Sequence, residues 1–296
     1  MFIIRNKKIF VGLSVLFVVV ALICVATFKL RFGIDFTGGS ATTIRFTDRP
    51  DTAVLQKIIP IAEFGDIRVQ PEGTTDVVIK TRALTDVERA RLVDFTRTTD
   101  ASVQQIGFTS IGPSVGAELK HKAITAIILV LIIIICFVAY AFRKVSEPVS
   151  SWKYGFVVII ALIHDIIIPT GVFALLGHFL GAEVDTLFIV ALLTTLGLSI
   201  ADTIVVFDRI REHLKTAANK KPFSEIVGES LSETFGRSIN TSFVVLVMVV
   251  SLAVFGPAST YLFAITLAVG MFFGTYSSIF LASPLLVIVE QLQKKK

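Results

Sequence analysis

The amino-acid sequence predicts a polytopic α-helical membrane protein of six transmembrane helices, with one α+β ferredoxin-like (βαββαβ) extracytoplasmic domain between helices 1 and 2. Three observations predict it. Hydrophobic residues fill 54% of the 296 positions and mean hydropathy is +0.80, far above soluble globular norms. The apolar residues gather into six runs, each of about the 20 residues that a bilayer requires. Between the first two runs the composition changes abruptly to charged, Thr-rich sequence with a strand and helix pattern of its own.

The first run, Ile9 to Leu30, follows a basic start of Arg5, Lys7 and Lys8. It is long enough to span, lacks a small-x-small cleavage site, and carries Ile23 where a lipoprotein site before Cys24 needs a small residue. It reads as an uncleaved anchor. The other spans are Ala123 to Phe142, Tyr154 to Gly177, Leu187 to Phe207, Ser238 to Phe255 and Tyr261 to Val289, with a bend expected at Pro284 in the last.

Short connections hold Arg143, Lys144 and Lys153, then Arg209, Arg211, Lys215, Lys220 and Lys221, and finally Lys294 to Lys296. All fall on one side with the basic N-terminus, so the positive-inside rule makes both termini cytoplasmic. The expected location is the bacterial cytoplasmic (inner) membrane. The domains expected are residues 1–30, cytoplasmic N-terminus and first span; 31–121, a periplasmic ferredoxin-like domain; and 122–296, spans 2 to 6 with a cytoplasmic loop over 208–236. The net charge of +5 is an orientation signal along the membrane and does not mark a nucleic-acid partner.

Within Arg31 to His121, strands are expected at Ala41 to Phe46, Ile67 to Gln70, Asp76 to Thr81 and Ser102 to Thr109. Helices are expected at Asp51 to Phe64 and Asp86 to Thr98, the second opened by a capping box of Thr85 and Glu88. In the loop from Asp208 to Gly236, Val227, Leu231 and Phe235 recur at helical spacing, which predicts either a helix lying along the membrane surface or a solvated loop with one packed helix.

Asp202 is the most informative residue, an acid inside an apolar span that costs several kcal/mol without a partner or a task. Thr195, Ser199 and Asp202 share one helical stripe. Arg237, Asn240 and Thr241 open the fifth span on one face, and Arg237 is long enough to reach toward Asp202, which lies about 8 Å from the boundary. The two readings are a proton-switching group or a static polar contact between spans.

In the third span His164 and Asp165 precede Pro169, which frees the Asp165 carbonyl. They form either a second relay position or hinge, or a pair that stabilises a kink. Gly270 and Gly274 have the spacing of close helix packing, with Thr275, Ser277 and Ser278 as polar contacts nearby.

The segment Gly33, Ile34, Asp35, Phe36, Thr37, Gly38, Gly39, Ser40 nearly matches a phosphate-binding loop, but Gly39 stands where its lysine belongs. Its glycines are expected to supply positive φ at a tight junction between membrane and domain. Cys24 and Cys136 lie in apolar runs, and His121, His164, His178 and His213 are scattered, so no metal site, cofactor or hydrolytic centre is expected.

The stretch Gly33 to Ser40, the segment Ile111 to Leu119, His164 with Asp165, and the run Asp202 to Glu212 together resemble the SecF family. That family is the smaller half of the SecD/SecF pair in bacterial protein export and is related to the resistance-nodulation-division transporters. The likeness covers nearly the whole chain in order. It implies an accessory subunit of the Sec translocase that draws on the proton-motive force, with SecD, the SecYEG translocon, unfolded preprotein on the periplasmic side and protons as partners. It implies no enzyme activity. It also implies a proton pathway through Asp202 and Arg237. The sequence departs from the family pattern at Leu198 and Ala201, where a tyrosine and an asparagine are common, so the implied path leans more on Ser199, Thr203 and partner residues. The competing readings are a proton-coupled exporter of small molecules or lipids and a purely structural scaffold.

Overall fold

The computed structural model describes residues 2–142, 151–217 and 221–294. The chain opens with a short turn, α1 (Phe2–Arg5), and the first long helix, α2 (Lys7–Phe28). A helical turn α3 (Ile34–Thr37) leads into β1 (Gly39–Arg45), α4 (Thr52–Ile58), α5 (Ile61–Phe64), β2 (Arg68–Glu72), β3 (Asp76–Thr81), α6 (Asp86–Arg97) and β4 (Gln104–Ile111). Then follow α7 (Pro113–Ala141), α8 (Ser151–Leu180), α9 (Thr186–Ala217), α10 (Phe223–Phe255), α11 (Tyr261–Ser277) and α12 (Ser283–Lys294). Among the described residues six helical segments are long and apolar enough to cross a membrane, and the chain is a multi-pass membrane protein.

The sheet is antiparallel in the order β2-β3-β1-β4, which is the ferredoxin-like arrangement expected. One face buries Ile44, Phe46, Val77 and Ile79 against Leu55, Phe64 and Leu92 of the helices. The alternation of apolar residues along β1 and β3 is what turns these onto one face. A bulge lies between Thr43 and Ile44 of β1 in its pairing with β4. The capping box is present, with Thr85 N–H donating to Glu88 Oε2 at 2.8 Å and Glu88 N–H donating to Thr85 Oγ1 at 3.4 Å.

Several expectations change. The helix expected from Asp51 to Phe64 is two helices, because Pro60 cannot donate the N–H that would carry α4 onward. The second span starts as a helix at Pro113, ten residues before Ala123, since Pro113 sits at the first helical position where its missing N–H has no consequence. The segment expected to lie along the membrane surface is instead the first half of α10, continuous with the fifth span. Val227 and Leu231 are buried there, against the bundle. The disturbance expected at Pro284 takes the form of a π-helical turn over Ser278–Ala282 just before it, where Ser283 Oγ donates to the Ser278 carbonyl at 3.0 Å. α8 runs through Pro169 without a break in its helical assignment. Arg143, Lys144, Lys220, Lys295 and Lys296, on which part of the orientation reading rests, lie outside the described residues.

In the bundle α8, α9 and α11 are inner helices, while α2, α7 and α10 turn most of their apolar side chains outward. The inner contacts are set by small residues, as befits helices that gain no hydrophobic drive from lipid. A Cβ at Gly171 would sit 2.5 Å from that of Ala21, so α2 lies hard against α8. A Cβ at Gly270 would lie 2.2 Å from Thr195 Oγ1, and one at Gly274 would lie 3.0 Å from Ser199 Cβ, so α11 lies hard against α9. The glycine pair therefore packs within this chain.

Two outcomes follow. Gly270→Val is expected to separate α9 from α11 and lower the unfolding midpoint of the detergent-solubilised chain, at a cost of about 1–3 kcal/mol; an unchanged midpoint counts against the close contact. The Glu88 carboxyl is held down to about 2, from 4.5, by its bonds to Arg82 and then to Thr85. Because the folded value is depressed, the stabilisation is complete above pH 4.5 and is lost as pH falls through about 2. Protection of the α6 amides from hydrogen exchange, taken relative to their intrinsic rates at each pH, should fall over that window in the native chain, and Glu88→Gln should remove that fall.

Candidate functional site

Asp202 sits in α9, part-buried, facing α10 and α11. Its Oδ2 accepts from Ser242 Oγ and Thr275 Oγ1, each at 3.2 Å, and those two hydroxyls lie 2.5 Å from each other. Arg237 is exposed and makes no ion pair with it within 4.0 Å, so its charge is felt only at longer range. The reason is axial. Ser242 is the residue of α10 level with Asp202, and Arg237 lies five residues away, about 7.5 Å along the helix. Arg237 instead borders a groove of about 550 Å³ with Asp208, Arg209, Glu212 and Glu233. Asn240 and Thr241 are exposed as well, so the polar face of α10 turns outward.

The stripe of Thr195, Ser199 and Asp202 divides between neighbours. Thr195 and Ser199 turn to the glycines of α11, while Asp202 turns toward α10. Thr203 bonds Ser278 Oγ at 2.8 Å and donates to the Ser199 carbonyl at 3.2 Å. Ser199 Oγ itself donates to Asp165 Oδ2 on α8.

Asp165 is fully buried, and its oxygens take three partners: Ser199, Ser277 Oγ at 2.9 Å, and His164 Nδ1 at 2.8 Å. His164 is buried too, its ring stacked on Tyr276 with centroids 6.2 Å apart, and Tyr276 Oη lies 3.4 Å from Ser14 Oγ of α2. Hydroxyl groups from α9, α10 and α11 thus surround two acids. Pro169 stands one turn beyond Asp165 on α8. Ser242 escaped the sequence reading because one serine in an apolar helix has no pattern of its own; Ser238, one turn earlier and buried, was the available signal. Thr275 and Ser277 were read as polar contacts between helices, without the acids they serve.

The Gly33 to Ser40 junction binds the domain to the bundle. Asp35 Oδ2 accepts from Thr186 N–H at 2.9 Å and Thr186 Oγ1 at 2.7 Å, placing a carboxylate on the N-terminus of α9. Phe32 bridges Val184, Gly33 N–H donates to the Val184 carbonyl at 2.9 Å, and Phe36 is buried among Phe173, Phe188 and Leu192. Gly38 and Gly39 have φ of 76° and 144°, while Gly33 does not need positive φ. A Cβ on Gly38 would lie 2.8 Å from Pro113 Cα, and one on Gly39 would lie 2.6 Å from the Thr81 carbonyl. Beside them, buried Glu183 binds Arg68 at 3.0 Å and Lys80 at 2.8 Å, and Gln70 Nε2 donates to the Gly181 carbonyl at 2.8 Å. Burial lifts the Asp185 carboxyl above the usual carboxylate range, opposed by its bond from Phe188 N–H. The sequence held no signal for Glu183, a lone acid in a short loop. No group of residues fit to hold a metal occurs among the described residues.

Two family models match the chain. Residues 91–292 match the protein export membrane protein SecD/SecF, C-terminal, and residues 25–48 match the SecD/SecF GG motif, which contains the junction just described. The protein translocase subunit SecF of Thermobaculum terrenum is 38% identical over 96% of this chain and 92% of its own length. That of Anaerolinea thermophila is 34% identical over 97% of this chain and 94% of its own. Among solved structures, SecDF of Thermus thermophilus, a translocon-associated membrane protein, superposes with a TM-score of 0.85 at 30% identity over 99% of this chain. The chain spans 38% of the length of that protein. A second SecDF structure, in a super-membrane-facing form, gives 0.71 at 29% identity. With both models matched and relatives aligned along nearly their whole lengths, the chain belongs to the SecF family of protein translocase subunits.

Proposed function

We propose that the chain is an accessory, non-enzymatic subunit of the Sec translocase that uses the proton-motive force to promote export of preproteins, in complex with SecD and SecYEG. The observation that carries the proton-driven part is Asp202, an acid within a membrane span whose direct partners among the described residues are the hydroxyls of Ser242 and Thr275. A permanent counter-ion in contact would fix its charge. Hydroxyls accept or donate, so they serve it in either state. One charge moved through 100 mV is worth about 2.3 kcal/mol, so a few protons suffice to shift a packing equilibrium of the bundle.

The proposed proton pathway is Asp202 with Ser199 and Thr203 beside it and Arg237 at its cytoplasmic edge. The basic residues Arg209, Arg211 and Lys215 lie toward the end of α9, opposite the end that meets the α/β domain at Thr186. Together with the basic N-terminus, this supports cytoplasmic termini and a periplasmic domain. The exposed face of α10, which carries Arg237 and Asn240 beside apolar Phe243 and Val247, suits a membrane partner such as SecD. The periplasmic domain would meet unfolded preprotein leaving SecYEG. The exporter alternative fits less well, since the apolar groove between α10 and α11 is about 230 Å³, small for a drug-sized ligand.

Asp202→Asn is expected to reduce proton-dependent export about tenfold or more in vesicles, while co-purification with the SecD partner persists. Normal export and proton flux in that intact complex would leave only a scaffold. Ser242→Ala should weaken proton-dependent export by several-fold, because Thr275 still serves the carboxyl; full activity would remove Ser242 from the pathway.

A further inference from the structure

We infer that Asp165 is a second proton-exchanging carboxyl of the bundle, held by His164, with Ser277 as the hydroxyl whose rotation accommodates both of its protonation states. The inference rests on the proton-driven reading above and extends it to the third span.

The argument begins with a count of protons. Ser277 Oγ carries one hydrogen and has two acceptors at the same distance, Asp165 Oδ2 at 2.9 Å and the Gly274 carbonyl at 2.9 Å. When Asp165 is ionised, Ser199 and Ser277 both donate to Oδ2 and His164 Nδ1–H donates to the other oxygen, so the buried anion has three donors. When a proton binds Oδ2, the new O–H donates to Ser277 Oγ, whose own hydrogen turns to the Gly274 carbonyl. Ser199 keeps its bond to the remaining lone pair. One O–H bond forms, one proton is taken up, and the heavy atoms stay where they are. A static polar contact needs only one of these arrangements.

His164 is the second observation. Its Nε2 is buried and has no hydrogen-bond partner among the described residues. An imidazolium would strand an N–H there among Phe273 and Tyr276, whereas the neutral ring leaves only a lone pair unused. The Nδ1 bond to Asp165 thus accounts for the polar contacts of the ring. The titratable groups facing Asp165 are His164 on its own helix and, across the ring, Tyr276 of α11. From α9 it meets Ser199, and α2 contributes Ser14 through Tyr276; neither serine titrates.

The site has a parallel at Asp202, where Ser242 Oγ is within hydrogen-bond reach of both the carboxyl and Thr275 Oγ1, which also donates to the carboxyl. Ser199 and Asp202 are three residues apart on α9, and Thr275 and Ser277 two apart on α11. The two carboxyls thus lie within about one helical turn of each other in depth, and both are served by a hydroxyl of α11.

The test uses the full chain with its SecD partner in liposomes, followed by infrared difference spectra between acid and alkaline buffer. Two titrating carboxyl bands are expected. Asp202→Asn should remove one and Asp165→Asn the other, and Ser277→Ala should shift the midpoint of the Asp165 band by about one pH unit. A spectrum unaltered by Asp165→Asn in an intact complex overturns the proposal. Should Asp165→Asn fail to assemble, Ser277→Ala decides, and an unshifted midpoint overturns it. Failure of the proton-driven reading would show separately, as export that Asp202→Asn leaves untouched.

Discussion

The contact between α9 and α11 organises this protein. Without side chains at Gly270 and Gly274, the two helices approach until Thr195 and Ser199 rest on the glycine backbone. That approach brings hydroxyls of one helix to carbonyls and carboxyls of the next: Thr203 to Ser278, Ser278 to the Ser199 carbonyl, and Thr275 to Asp202. A polar group in a bilayer must find its partner inside the protein, and a gap of a few ångströms between helices would leave several without one. α8 closes the arrangement by setting Asp165 against Ser199 and Ser277. The polar interior is thus a consequence of two missing side chains.

Most of the fold was legible in the sequence, for clear reasons. Hydrophobic runs of bilayer length have few alternatives, and the four strands and the capping box obey short-range rules that tertiary contacts reinforced. Asp202 was visible because a charge in an apolar run is rare. Its partners were not visible. A helical wheel shows which residues share a face of one helix, but the rotation and axial offset between helices decide which faces meet. Hence Arg237, chosen for charge and reach, proved to lie a turn and a half from the level of Asp202, while the less conspicuous Ser242 stands beside it. The same limit split the Thr195, Ser199 and Asp202 stripe between two neighbours. For the amphipathic stretch at Val227 and Leu231 the packed-helix reading held and the membrane-surface reading did not, because amphipathic period reports burial and not orientation to a membrane; neither Gly228 nor Gly236 breaks α10, and the helix carries on into the span.

The outer helices carry a different message. α2, α7 and α10 present Ile, Val, Leu and Phe to their surroundings, and lipid accepts such a surface without cost. The exposed Arg237, Asn240 and Thr241 on α10 are less at home in lipid, which is the physical case for a protein neighbour there. A bundle built this way has an interior fixed by hydrogen bonds and a periphery free to exchange lipid for protein.

The junction at Glu183 bears on how the chain comes to be assembled. Arg68 and Lys80 are made early, yet the carboxylate that neutralises both lies 115 and 103 residues further along. Asp35 likewise waits 151 residues for the amide of Thr186. During synthesis the α/β domain therefore folds with Lys80 and Asp35 lacking these partners and with Arg68 paired to Asp66, and its attachment to the bundle completes only when the third and fourth helices are in place. The junction therefore joins parts of the chain that are made far apart, and it can close before the last two spans have been synthesised.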